Sequence, residues 1–278
     1  MTTINTNVMS LNAQRNLAST GASLATSMQR LSSGLRVNSA KDDAAGLAIA
    51  ERMNAQVRGM NVAIRNANDG ISLSQTAEGA LGKVGDSLQR MRELAVQARN
   101  STNSDEDKDS LDKEFQELAS EIERVLGGTT FNGKAILGAE AGSLTFQVGA
   151  NTTTNDTISI TSTNLTTDTT ITAVTGATID NTADATTLAG VIDDIDTALD
   201  TVNSQRATFG AAQNRFDAVI ANLRVSVENQ SAARGRIMDA DFAQETANLS
   251  RTQILQQAGT AMVAQANQSP QNVLSLLR

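Results

Sequence analysis

The chain has 278 residues and a net charge of −8, and it contains no Cys, His, Trp or Tyr. The lack of Cys excludes a disulfide framework and thiolate chemistry, and an acidic chain without a basic stripe argues against nucleic-acid binding. Hydrophobic residues make up 40% of the chain but aromatic residues only 2%, so thin helical seams are expected instead of a thick globular core. The single Pro also favours long uninterrupted helices.

Both ends of the chain are apolar in pattern and nearly uncharged. Residues 1–40 carry three Arg and no other charge, and residues 252–277 carry none. Apolar side chains recur at helical spacing in both segments: Ile4, Val8, Leu11, Leu24, Met28, Leu31 and Leu35, and then Phe242, Leu249, Leu255 and Met262. An exposed helix normally carries charges on its wet face, so both segments are predicted to be covered by other protein. Pro270 should either end the last helix or only kink it.

The strongest periodicity runs through residues 44–99. One apolar or small residue falls at every seventh position: Met53, Met60, Ala67, Ser74, Leu81, Leu88 and Ala95. Its companion follows by four residues before Ser74 (Val57, Ile64, Ile71) and by three after it (Ala77, Val84, Met91, Ala98). The pattern predicts one helix of about 84 Å, with a skip near Ser74 and a local change of supercoil or packing partner there.

Two further segments carry matching seams. The first contains Leu111, Phe115, Leu118, Ile122 and Val125, with Ser104 or Asp105 as its cap and Gly127-Gly128 at its end. The second alternates steps of four and three from Leu188 to Val227, and Arg206 and Gln213, which interrupt its apolar stripe, are interpreted as fixing helix register. Together the three segments predict an antiparallel coiled-coil bundle in a mostly α protein.

The middle of the chain has a different composition. FNGKAIL and LTFQV predict short β-hairpins between residues 129 and 150, with Asn132-Gly133 as a turn. In residues 151–187, 16 of 37 residues are Thr and apolar residues are few, which predicts a small, exposed β-rich or irregular lobe. Trimming this lobe is therefore expected to be tolerated.

A carboxylate cluster is the one candidate for a metal or catalytic site. It consists of Asp193, Asp194, Asp196 and Asp200. Asp193, Asp196 and Asp200 could share a helix face, but hard cations usually draw six or more oxygens from several elements. Acidic residues are also favoured in the first turn of a helix, and this interpretation is preferred. No cofactor, metal or catalytic residue is predicted.

Five stretches of the chain carry long motifs. They read LSSGLRVNSAKDDAAGLAIAERM (31–53), QRMRELAVQA (89–98), FNGKAIL, LTFQVGAN and ANLSRTQILQQAGTAMVAQANQSPQNVLSLLR (247–278). In this order they resemble the bacterial flagellin family, over about residues 1–150 and 186–278. The Thr-rich centre corresponds to the variable outer region of that family.

The resemblance implies a layered subunit of an open helical polymer that serves swimming motility. Residues 1–40 and 237–278 would be paired inner-tube helices, disordered in the monomer and folded on assembly. Residues 41–150 and 188–236 would form the middle layer of helices and hairpins, and residues 151–187 the outer lobe. Such a heterologous contact does not close on itself and therefore generates a fibre.

The resemblance also implies recognition by two innate immune sensors. Arg90, Leu94 and Gln97, at positions i, i+4 and i+7, together with Glu114, match the patch recognised by a Toll-like receptor. Leu274, Leu276, Leu277 and Arg278 resemble the segment that a cytosolic inflammasome sensor reads. Packing inside the filament is the alternative role for both sets.

Partners and location follow from the same resemblance. The subunit is expected to bind itself, an export chaperone, the filament cap and hook-filament junction proteins, and to leave the cell unfolded by type III export without a cleaved signal peptide. No apolar run is long enough for membrane insertion. Two alternatives remain: a hook-filament junction protein, or an autonomous coiled-coil interaction module or enzyme.

Overall fold

The computed structural model describes residues 6–275, and the side chains of residues 6–268. Within that range the protein is mostly helical, as predicted, with two small antiparallel sheets. The helices are α1 (Val8–Ser33), α2 (Ala44–Ala98), α3 (Asp105–Gly128), α4 (Thr169–Thr175), α5 (Ala185–Met238) and α6 (Phe242–Ser275). The strands are β1 (Thr130–Phe131), β2 (Lys134–Ala135), β3 (Ser143–Gln147) and β4 (Thr157–Thr161).

The chain divides into two compact units. The terminal unit consists of Met1–Ala55 and Asn229–Arg278, and the central unit consists of Gln56–Glu228. None of the helices within residues 6–275 is both long and apolar enough to cross a membrane.

In the central unit α2 and α5 run antiparallel. Arg92 of α2 donates to Asp196 of α5 over 2.7 Å, and Glu78 of α2 accepts from Gln213 of α5 over 3.0 Å. The residue numbers therefore rise along one helix as they fall along the other. The hydrogen bond from Gln213 to Glu78 favours one register between the two helices, as the sequence interpretation of Gln213 expects.

The buried stripe of α2 runs without a skip, so the predicted skip near Ser74 is wrong. Between Met60 and Ala98 the buried residues are Met60, Ala63, Ala67, Gly70, Ser74, Ala77, Leu81, Val84, Leu88, Met91, Ala95 and Ala98, in steps of three and four, with Leu73, Gly85 and Leu94 beside them. Ile64 and Ile71 are only half-buried. The sequence pattern failed here because Ala63 and Gly70, which fill the seam, are too small to signal an apolar position.

The capping prediction for α3 is confirmed. Ser104 caps the helix: its hydroxyl accepts from the Asp107 amide, while the Asp107 carboxylate accepts from the Ser104 amide. This reciprocal pair satisfies two amide groups that the first turn leaves free. The helix ends at Gly128, and Phe115, Ala119, Ile122 and Leu126 are buried.

The two sheets are hairpins of different length. β1 pairs with β2 across Asn132 and Gly133, whose φ angles of 50° and 81° are those of a tight hairpin turn. β3 pairs with β4, with Phe146 opposite Ile158. The prediction that all hairpins lie within residues 129–150 is therefore wrong for β3, because its partner comes from the Thr-rich segment.

The Thr-rich segment, residues 151–187, is not a purely exposed lobe. Its apolar side chains are buried in the same core as those of α2, α3 and α5: Ile158, Ile160, Leu165, Ile171, Val174, Ile179 and Ala183. It also contains α4, capped by Asp168. The composition misled because Ile158 and Ile160 at alternate strand positions, with a few apolar residues beyond the strand, suffice to close one side of a core.

In the terminal unit α1 and α6 run antiparallel. At one end Asn7 donates to the Ala266 carbonyl over 2.7 Å and Ser10 donates to Asn267 over 2.8 Å. At the other end Arg30 lies 3.8 Å from Glu245. The backbone of α6 continues past Pro270 to Ser275, so the alternative in which Pro270 ends the helix is wrong, and a kink there stays a prediction.

A short connection holds the ends of α1 and α5 beside each other. Gly34 ends α1 with φ 72°, a backbone conformation that costs glycine little. Leu35 then forms a bridge with Asp239, and the Arg36 side chain donates to the Ile237 carbonyl over 2.8 Å. Val37, Ala50 and Met238 form a small buried cluster around this connection.

Candidate functional site

Large apolar side chains are exposed mainly on α1 and α6. Eight of the twelve exposed large hydrophobic residues in the described range lie on these two helices: Val8, Met9, Leu11, Met28, Phe242, Ile254, Leu255 and Met262. We call these eight residues the exposed apolar set. Exposed large apolar side chains concentrated on one pair of helices are typical of a surface that another molecule covers.

The predicted inner-tube residues divide between this surface and the seam. Val8, Leu11, Met28, Phe242, Leu255 and Met262 are exposed, whereas Leu24, Leu31, Leu35 and Leu249 are half-buried. Ile4 lies outside the described residues. The side chains of the first group are therefore largely uncovered by the described part of their own chain.

The fully buried positions of the seam between α1 and α6 are small or polar, and the larger Leu side chains of the seam are half-buried. Ser10, Ser27, Glu245 and Ala266 are its buried members. The sequence prediction missed them, although Ser10, Ala13, Leu17, Thr20, Leu24, Ser27 and Leu31 follow an unbroken three-four spacing. Small side chains at these positions let the backbones approach closely, while the exposed apolar set lies on the outward surfaces of the two helices.

The two helices approach closely at Gly259. A Cβ added there would lie 3.1 Å from Cδ1 of Leu17. Alongside this contact the two helices form a groove of about 390 Å³ that includes Met9, Leu17, Leu255 and Met262. The groove is mainly apolar, so it suits an apolar side chain from another molecule.

An ion pair stands at the far end of the seam. Glu245 is 8% exposed, and its carboxylate accepts from Asn248 over 3.3 Å as well as facing Arg30. A buried carboxylate needs such partners because its desolvation is costly. The pair therefore favours one register between α1 and α6.

The predicted receptor patch is only partly on the surface. Arg90 donates to Glu114 and to Glu93, each over 2.8 Å, and the hydrogen bond to Glu114 is the main reason that its pKa is raised. Gln97 is exposed. Leu94 is 1% exposed and lies buried beside Met91 and Ala95 of α2, so it is not itself an accessible member of the patch.

The carboxylates of α5 do not form the predicted acidic first turn. The helix begins at Ala185, so Asp193, Asp194, Asp196 and Asp200 lie two or more turns further on. Asp196 is paired with Arg92, whose hydrogen bond lowers the pKa of the Asp196 carboxyl. Within residues 6–275 no three acidic side chains converge as metal ligands would.

The last predicted site falls at the end of the chain. Leu276, Leu277 and Arg278 lie outside the described residues, and Leu274 is placed only as backbone of α6. The recognition of this segment by a cytosolic sensor stays a prediction.

The fold and the exposed apolar set define an α-helical structural protein with a surface for association. The N-terminal helical region of bacterial flagellin matches residues 4–142, and its C-terminal helical region matches residues 192–277. Flagellin of Halalkalibacterium halodurans is 47% identical and flagellin of Bacillus subtilis 42% identical, each over 99% of both chains.

A solved structure described as a flagellar hook-associated protein from Vibrio parahaemolyticus has a TM-score of 0.62 and 14% identity. It covers 71% of this chain and all of its own, and it shows the fold alone. The chain belongs to the bacterial flagellin family. It is therefore a structural subunit of the extracellular flagellar filament and not an enzyme.

Proposed function

We propose that the exposed apolar set is the surface through which one subunit packs against others in the filament. The observation that supports this is the unusual burial on α1 and α6. The two helices bury the polar residues Ser10, Ser27 and Glu245, whereas the exposed apolar set faces solvent. Burying one such side chain stabilises an assembly by roughly 1.5–3 kcal/mol. Neighbouring copies therefore supply the apolar burial that the pair of α1 and α6 does not provide.

We also propose that the subunit has the layers that the family resemblance implies. Residues 1–40 and 237–278 form the inner tube and become fully ordered on assembly, residues 41–150 and 188–236 form the surrounding layer, and 151–187 carries the outermost surface. The fully buried positions of the seam between α1 and α6 support this, because they are small or polar and contribute little apolar burial against a backbone entropy of about 1–2 kcal/mol per residue.

Seeded elongation tests the assembly surface. The subunit is incubated with short filament seeds and growth is followed by negative-stain electron microscopy. We expect Leu255→Asn, or deletion of Thr252–Arg278, to abolish elongation while the circular dichroism of the remaining helices persists. Thr161→Asn, at an exposed position of the central unit, serves as the control. Continued growth by both altered subunits would contradict the proposal.

We infer that the subunit is exported unfolded and added at the distal end, with a chaperone, the cap and junction proteins as transient partners. The lack of Cys supports passage as an uncrosslinked chain. The apolar residues of α6 suit a chaperone that shields the C-terminal region before assembly. Chaperone binding should be lost on deletion of Thr252–Arg278 and kept by Leu94→Ala, and the reverse pattern would exclude this region.

We also propose recognition by the Toll-like receptor through Arg90, Gln97 and Glu114. The exposed Arg90–Glu114 pair supports this, and Leu94 contributes by packing beneath that surface. In a reporter-cell assay Arg90→Ala should lower activation, while Arg124→Ala, which removes another exposed ion pair, should not. Equal activation by all three chains would assign the patch to filament packing.

The cytosolic sensor is proposed to read Leu274, Leu276, Leu277 and Arg278. Delivery of the Leu276→Ala/Leu277→Ala chain to the cytosol should give less inflammasome activation than delivery of the parent chain. An unchanged response would leave these residues with a packing role alone.

A hook-filament junction protein is the second candidate, and the hook-associated likeness in fold is what favours it. The 47% identity to a flagellin over the full chain weighs against it. Growth of long tubes from seeds distinguishes the two, because a junction protein would stop after few copies.

A further inference from the structure

The methionines of this chain differ sharply in exposure. Met9, Met28 and Met262 are 68%, 54% and 57% exposed. Met60, Met91 and Met238 are no more than 7% exposed, and Met53 is half-buried. The three exposed ones belong to the exposed apolar set on α1 and α6.

We propose that Met9, Met28 and Met262 are oxidation sites through which peroxide controls assembly of the free subunit. The inference rests on the proposed packing role of the exposed apolar set. A thioether that is open to solvent meets a dissolved oxidant directly, whereas a buried one must wait for the fold to open.

The chemistry is a two-electron oxygen transfer from hydrogen peroxide. The sulfur lone pair attacks one peroxide oxygen, an S–O bond forms and the O–O bond breaks. The proton on the attacked oxygen passes to the leaving oxygen, which departs as water. The sulfur is oxidised to a sulfoxide and the peroxide is reduced, so no further reactant is needed.

A sulfoxide at these positions opposes packing because it places a strong hydrogen-bond acceptor on an apolar surface. Met9 and Met262 line the same groove between α1 and α6, so two added oxygens would enter one recess. If a second subunit covers these sulfoxide oxygens without offering hydrogen-bond donors, the oxygens lose their water and the contact is destabilised. Once assembled, the same thioethers are covered, so the free subunit is the sensitive form.

The test combines a mass map with seeded elongation. The parent subunit is treated with limiting hydrogen peroxide and digested, and the sulfoxide at each methionine is quantified. We expect Met9, Met28 and Met262 to oxidise several-fold faster than Met60, Met91 and Met238, and elongation to slow in proportion. Preformed filaments should oxidise more slowly at the three exposed positions.

Matched variants connect the modification to the effect. Leucine keeps the size and apolar character of methionine but cannot form a sulfoxide. The triple variant Met9→Leu/Met28→Leu/Met262→Leu should elongate equally with and without peroxide, and Met60→Leu/Met91→Leu should remain as sensitive as the parent. Treatment of the oxidised parent with methionine sulfoxide reductases should restore growth.

Three results would overturn the inference: uniform oxidation of exposed and buried methionines, normal elongation by a subunit carrying the three sulfoxides, or no recovery after reduction. The reduction step applies to the parent chain, so it decides the matter even where the triple variant does not grow. Failure of the untreated parent to elongate would instead contradict the proposed function.

Discussion

At the scale of single residues, the contact between α2 and α5 depends on a missing side chain. A Cβ added at Gly70 would lie 2.6 Å from Cζ of Phe216. That ring is fully buried and also meets Phe146 edge to face, with ring centroids 5.5 Å apart. The space beside Gly70 is therefore part of the core packing.

Gly70→Ala should destabilise the subunit, because the buried Phe216 ring must move to admit the methyl group. We expect the free energy of unfolding in urea to fall by about 1–3 kcal/mol. Gly79→Ala is the control on the same helix, since a Cβ there meets nothing within 4 Å. That variant should gain about 0.5–1 kcal/mol from helix propensity. Equal gains for both would show that the ring is free to adjust.

The residue scale also shows where patterns mislead. Leu94 falls beside the heptad seam, yet it is buried because α2 packs into a core that α3 and α5 also fill. Ser10 and Ser27 are buried although their side chains are polar. In both cases the neighbouring helix decides the burial, and the spacing along one helix does not contain that information.

At the scale of elements, β4 joins the Thr-rich segment to the core. Ile158 and Ile160 are each 3% exposed, while Thr161 of the same strand is exposed. Backbone amides of the segment also bind carboxylates of α3: Ile179 donates to Asp112 over 2.8 Å, and Asn181 donates to Asp109. Deleting residues 151–187 would therefore open the core instead of trimming a surface.

Ile160→Ala tests the contribution of β4. Loss of the buried side chain should lower the free energy of unfolding by about 2–5 kcal/mol. Thr161→Ala, one position along the same strand, should change it by less than about 1 kcal/mol because its side chain is exposed. Urea denaturation of both variants measures the difference. Two equally small effects would mean that the segment folds independently of the helices.

At the scale of the whole molecule, several carboxylates have a lowered pKa because nearby groups donate to them. The main donors are the Ser39 amide for Asp42, the Ser104 amide for Asp107, the Thr153 hydroxyl for Asp156 and the Thr182 hydroxyl for Asp180. Each group binds its proton less readily in the folded state than in the unfolded chain. The resulting stabilisation is complete above the ordinary Asp value of 3.8 and disappears as the pH falls through the lower folded pKa values.

The urea midpoint of the subunit should therefore change little from about pH 7 to about pH 5 and fall below about pH 4. The variant Asp107→Asn/Asp156→Asn should start from a lower midpoint at neutral pH and lose less on acidification. Asp69→Asn is the control, at an exposed residue of α2. An identical acid response in all three chains would show that other groups govern it.

The sequence by itself determined the long helices, their apolar seams, the α3 cap, the Asn132-Gly133 turn and the helical spacing of apolar residues in the terminal segments. These features are local, since each depends on residues within a few turns of one another. The tertiary structure decided which partner β3 takes, that the Thr-rich segment enters the core, and that α2 keeps one stripe past Ser74. Those outcomes depend on small residues such as Gly70 and on residues far apart in the chain, whose contacts no local period records.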